Sequence, residues 1–253
     1  MKTVPMIKYI TKAITVRWIG VLLFVTLFAV MMSLADYRSS ARSTDELIEQ
    51  YGTYAQIPQE ELDSVSDFSP ATAMMFSVMT AVSASTMGVL LFGLGMQMSA
   101  TRKTVRKAFF AACAELAVIF GVAFWLVQTV MYRVFENMAQ GKYPNLEKAY
   151  GDMTGAEQLL TYLLTGLALS LLGGFLLIII CKTAVLGTVI AIPCFGGAMT
   201  GSVLLQFYAG KTVLYIILLA LIAVFAALCF VMIPRMSLED RNLFSAKVRR
   251  YGL

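Results

Sequence analysis

Residues Gln158–Cys181 read QLLTYLLTGLALSLLGGFLLIIIC, twenty-four positions without a charge. A helix crossing a hydrocarbon core of about 30 Å takes about 20 apolar residues, so this stretch by itself indicates a membrane span. Working outward, five more runs meet the same criterion: 18–35, 71–97, 109–132, 183–208 and 212–233. Only a tiny connector around Lys182 separates the fourth run (158–181) from the fifth. The composition agrees, because 59% of the 253 residues are hydrophobic and 14% are charged, whereas soluble domains carry about a quarter charged residues. The expected fold is an all-α membrane protein, six transmembrane helices in a single transmembrane domain over 1–253.

Several chemistries fall away at once. The chain has no histidine, which removes the commonest general base and excludes zinc hydrolases of the H-E-x-x-H type. Cys113, Cys181, Cys194 and Cys229 each sit inside an apolar run and are too few and too far apart for a zinc cluster. They read as small buried apolar side chains, and no metal site is expected. Gly210-Lys211-Thr212 resembles the end of a Walker A loop, but the required first glycine would fall at Leu205. No catalytic residues are expected, the chain is not read as an enzyme, and nucleotide-driven work would come from a separate subunit.

Orientation follows from the charges. With the amino terminus inside, the inner segments hold fourteen of the twenty Lys and Arg against two acids, and the outer segments hold six against twelve of the fifteen acids. The positive-inside rule then places both termini in the cytosol. Ser33-Leu34-Ala35 has the small-x-small look of a signal-peptide cleavage site, but removing the first span would spoil this charge pattern.

Between the spans, Ile7, Ile10 and Ile14 recur at helical spacing among Lys8, Lys12 and Arg17, which suits an amphipathic elbow at 1–17 lying in the interface. The connection 36–69 is an acidic extracellular loop in which Ser43 and Glu46 make a capping-box signature; it reads as a small helical cap or as a solvated loop. Ser69-Pro70 gives the second span a start signal, and Thr154 with Glu157 does the same for the fourth. Residues 234–253 form a cytoplasmic tail opened by Pro234.

The most telling inner segment is 98–108, Met-Ser-Ala-Thr-Arg-Lys-Thr-Val-Arg-Lys-Ala, ahead of Phe109-Phe110. Small-small-Thr-Arg-Lys after a glycine-containing span, then an aromatic-rich span, resembles the inner loop of ABC-2 type transporter permeases. There such a stretch opens the coupling helix that touches the ATPase. The six-span plan, the elbow and a Gly/Pro-interrupted fifth span look like that family too, in its type V exporter-like architecture. The resemblance implies that Thr101, Arg102, Lys103, Arg106 and Lys107 dock separate nucleotide-binding ATPase subunits. It also implies that ATP and Mg are bound by the partner, that this chain binds no cofactor, and that it works as a dimer with a second copy or homologue of itself.

Span five holds Pro193, Gly196, Gly197 and Gly201, with a Gly-x-x-x-Gly pair at 197 and 201, so it is expected to bend, pack tightly or both. Sixteen methionines, among them Met75, Met79 and Met87, suit a pathway for amphipathic peptides or hydrophobic small molecules, with Phe207 at the turn before the last span; they equally suit core filling. The nearest likeness is to bacterial exporters of peptide toxins such as phenol-soluble modulins, in the cell membrane. Glu115 is the one acid well inside a span, where it reads as a structural ion pair, a coupling element or a proton-relay site. An ion- or proton-coupled secondary transporter using Glu115 and a broken fifth span is the alternative function.

Overall fold

The computed structural model describes residues 3–65, 76, 78–85, 101–152, 154–182, 189, 197 and 211–235. Among them all regular structure is helical. In chain order the helices are α1 (Thr3–Tyr51), α2 (Gln59–Val65), α3 (Arg102–Ala139), α4 (Pro144–Asp152), α5 (Ala156–Lys182) and α6 (Lys211–Met232), with a helical stretch at 78–85. Four of them, α1, α3, α5 and α6, are long and apolar enough to cross a bilayer.

α1 is the first departure from the sequence reading. Its 49 residues extend about 70 Å at 1.5 Å per residue, far more than a bilayer core requires. Residues 3–17 are therefore the start of one continuous helix and not a separate elbow, and residues 36–51 are helix and not loop. No proline or glycine stands between Gly20 and Gly52 to end the helix. Gly52 ends it, in the left-handed conformation at φ 82°, with its N–H on the Ile48 carbonyl at 2.8 Å. Ser43 is not an N-cap: its hydroxyl donates to the Ser39 carbonyl one turn back at 3.2 Å. Thr154 likewise donates to the Gly151 carbonyl at 2.8 Å, although α5 still begins two residues later.

α3 also outruns its apolar core. Residues 102–108 are its first turns and not a separate coupling helix, and it continues past Tyr132 to Ala139. Most of the second span, nearly all of the fifth and the tail beyond Arg235 lie outside the described residues.

Side-chain contacts fix the direction of each long helix. Tyr37 stacks on Phe135 at 4.0 Å, and two turns on, Tyr143 donates to Asp45 at 2.9 Å. Phe135 near the end of α3 meets Tyr37, and Tyr143 just past that end meets Asp45 further along α1, so α1 and α3 run parallel. α5 runs antiparallel to α3: Phe109 meets Gly174, the Cys113 thiol donates to the Ser170 carbonyl at 3.7 Å, Ala117 meets Gly166 and Gly121 meets Leu163. α5 and α6 are parallel, since Tyr215 donates to the Glu157 carbonyl and Cys229 to the Leu171 carbonyl at the same separation of 58 positions. Two helices therefore run away from the basic end of the bundle and two run toward it.

The α3–α5 seam carries the core. A Cβ at Gly166 would stand 3.2 Å from the Ala117 carbonyl oxygen, and one at Gly174 would overlap the Phe109 ring. Each crossing pairs a small residue with its neighbour, which lets the backbones close in without any hydrophobic drive from the surrounding lipid. Facing outward, Leu23, Phe24 and Leu27 of α1 and Ile216, Leu219 and Val224 of α6 are all exposed. Water does not favour such stripes, and acyl chains do.

Candidate docking surface

The cationic stretch singled out in the sequence forms the start of α3. Thr101 is the N-cap, its hydroxyl oxygen accepting from the Thr104 N–H at 3.3 Å. The turns that follow bury Val105, Ala108 and Phe109 against the bundle, which leaves the charged residues on the remaining faces. Arg102, Lys103, Arg106 and Lys107 all fall within the first six residues, with no acid in the first turn. A helix N-terminus carries about half a positive charge, so Arg102 and Lys103 in the first turn each cost about 0.3 to 1 kcal/mol at low ionic strength, an effect that has faded by Arg106 and Lys107. Helix stability does not select this arrangement.

The four cations do not behave alike. Arg102 donates to the Pro234 carbonyl at 2.8 Å, and the Arg106 guanidinium lies 3.7 Å from the centre of the Phe230 ring. Both partners belong to the end of α6 and the short 3-10 turn Ile233–Arg235 behind it. Lys103 and Lys107 are exposed, and among the described residues no ion pair reaches either.

The acid-rich end is built differently. Lys142 pairs with Asp45 at 3.0 Å while Tyr143 donates to the other carboxylate oxygen. Burial works to raise the Asp45 pKa, but the hydrogen bonds from Lys142 and Tyr143, with the lysine charge, outweigh it and hold the carboxyl below 3.8. Tyr51 donates to Glu61 at 2.8 Å, the Gly141 N–H to Glu147 at 3.1 Å and the Asn145 N–H to the Tyr54 hydroxyl at 3.1 Å. Beneath these, Phe135, Leu146 and Thr44 are fully buried. The far end is thus a folded cap made from α2, α4 and the ends of α1 and α3.

The remaining sequence candidates are scattered. Glu115 lies on α3 three turns from the cationic start, half-buried and with an interaction partner. Met79 is half-buried against the core, on the same stretch as Thr80 and Ser83. Gly197 is exposed, and no described atom lies within 4 Å of where its Cβ would stand. Met75, Met87, Pro193, Gly201 and Phe207 lie outside the described residues. Among the described residues no group of His, Cys, Asp or Glu could hold a metal ion.

Sequence reasoning missed the seam. Cys113-x3-Ala117-x3-Gly121 on α3 and Gly166-x3-Ser170 with Gly173-Gly174 on α5 carry the same small-residue spacing that was noted at Gly197 and Gly201. The Arg102–Pro234 contact joins residues 132 positions apart, and no local pattern announces it. No family model, no curated protein and no solved structure matches the chain.

Proposed function

We propose that the chain is the membrane-spanning permease subunit of an ATP-driven exporter of the ABC-2 kind, half of a dimer whose ATPase subunits are separate chains. In this reading it crosses a bacterial plasma membrane six times, with both termini in the cytosol. What supports the count of six is helix direction. α1 and α3 are parallel, so the chain between Tyr51 and Arg102 has to return the length of the bundle, and the parallel pair α5 and α6 demands the same between Lys182 and Lys211. Two such returns beside the four described helices are what the six-span reading expects.

The observation that carries the functional reading is the cationic start of α3. Four cations at this helix start, three of them exposed and none with an ion pair among the described residues, favour an acidic partner that supplies the missing counter-charge. A soluble ATPase whose cleft admits this helix end could shift α3 and, through the seam, α5. The cargo under this reading is an amphipathic peptide or a hydrophobic small molecule, passing the stretch that holds Met79. The test is ATP hydrolysis by the complex purified from native membranes through a tag on this chain. Hydrolysis is expected with the natural chain and a loss of at least tenfold with Lys103→Glu/Lys107→Glu, the permease being recovered in equal amount. Equal hydrolysis from both, or none from either, would overturn the reading.

A further inference from the structure

Arg102 and Arg106 stand one turn apart on α3, and their partners Pro234 and Phe230 stand one turn apart at the end of α6. The geometry points to a two-rung clasp that makes Arg102 and Arg106 positioning residues, joining the inner end of α3 to that of α6. In the docking reading, on which this division of roles rests, they pass movement onward while Lys103 and Lys107 meet the partner.

Each rung has its own physical cause. The last carbonyls of a helix lack onward partners and carry its negative dipole end. α6 finishes in the 3-10 turn Ile233–Arg235, and Arg102 supplies a charged donor at that place. A cation ill-suited to the start of its own helix is therefore well suited to the end of its neighbour. Arg106 is half-buried and its guanidinium lies over the face of the Phe230 ring, a cation–π contact, although the ring keeps about half of its surface exposed. Beside the rungs, Ile233 and Cys229 are buried in the core cluster that also holds Val105 and Phe109. The end of α6 is thus seated on α3, and α6 in turn lies parallel to α5.

Lys103 and Lys107 are turned about 100° from the arginines around α3. They are exposed and contribute to neither rung. The difference in residue type suits the difference in role: the planar guanidinium stacks and directs its donors, whereas the ammonium is a hydrated point charge.

Hydrogen–deuterium exchange of the full chain in lipid nanodiscs tests the clasp without any second subunit, following segments 102–110 and 226–235. Arg106→Met and Phe230→Leu are each expected to raise exchange in both segments by about two- to tenfold, and the double variant no further than the larger single effect. Arg106→Lys, which keeps the cation, is expected to stay close to the natural chain. Variants that loosen only their own segment, or whose effects multiply, would overturn the clasp. A chain that engages no ATPase leaves this result standing and removes only the docking reading. An ATPase released by Arg106→Met but retained by Lys107→Glu would overturn the division of roles.

Discussion

The two ends of the bundle use charge in opposite ways. At the acid-rich end Asp45, Glu61, Glu136 and Glu147 each have a partner within the chain, and tyrosines supply several of the donors. At the basic end Arg102 and Arg106 contact the end of α6, Arg102 while remaining exposed, and Lys103 and Lys107 stand exposed with no ion pair among the described residues. Several acids at one end are bound within the chain, whereas Lys103 and Lys107 at the other have no ion pair among the described residues, and the proposed docking places a partner's counter-charge there.

The sharpest way to break the comparison is to show that the cap is not a folded unit. Phe135 is fully buried and stacked on Tyr37, so Phe135→Ala is expected to cost about 3–5 kcal/mol, read as a lowered unfolding midpoint in bicelles. A cost below 1 kcal/mol would mean that the cap contributes little. Next in size is the seam that holds the two ends apart at a fixed length. Gly166→Val puts carbon against the Ala117 backbone, which has no rotamer with which to yield, and overpacking of this kind costs about 1–3 kcal/mol. The same change at Gly197, where no described atom is close, is expected to be milder.

Tyr143→Phe removes one donor to Asp45 and is expected to cost about 0.5–1.5 kcal/mol by the same assay. Lys103→Glu/Lys107→Glu is expected not to lower stability and to raise the midpoint slightly, since it replaces a cation in the first turn of α3 with an acid that the helix start favours. Cap charges are then expected to support the fold, and basic-end lysines not to.

The smallest effect is acid titration of the cap. Asp45 has its pKa lowered in the folded chain, so its contribution is complete above the unfolded value near 3.8 and is lost as pH falls through the lower folded value. Lys142, whose pKa is raised from 10.5 by hydrogen bonds to Tyr143 and Asp45, contributes fully below 10.5 and is lost above its raised value. Unfolding midpoints across pH should therefore fall at the acid limit for the natural chain and fall less for Asp45→Asn.

Much of the membrane plan was legible because hydropathy reports apolar runs directly; 109–132, 158–181 and 212–233 all fall within or across long helices. Boundaries were not legible where a helix continues beyond the bilayer. Residues 36–51 and 133–139 are polar enough to read as loop, yet nothing in them breaks a helix, and packing beneath the cap holds them helical. The Ser43–Glu46 signature was misleading because the same hydroxyl can bond one turn back inside a helix. The cationic residues were visible, but their division into two arginines that contact α6 and two lysines that do not depends on the end of α6, more than a hundred residues away.

The most direct test puts a photo-crosslinking amino acid at Lys103 or Lys107 and, for comparison, at Glu49 of the acid-rich end, in cells carrying the full chain. Adducts with a soluble ATP-binding protein are expected from positions 103 and 107 and not from 49. The absence of such adducts at the basic end, or their appearance only at the capped end, would contradict the assignment of the basic end as the docking surface for a separate motor.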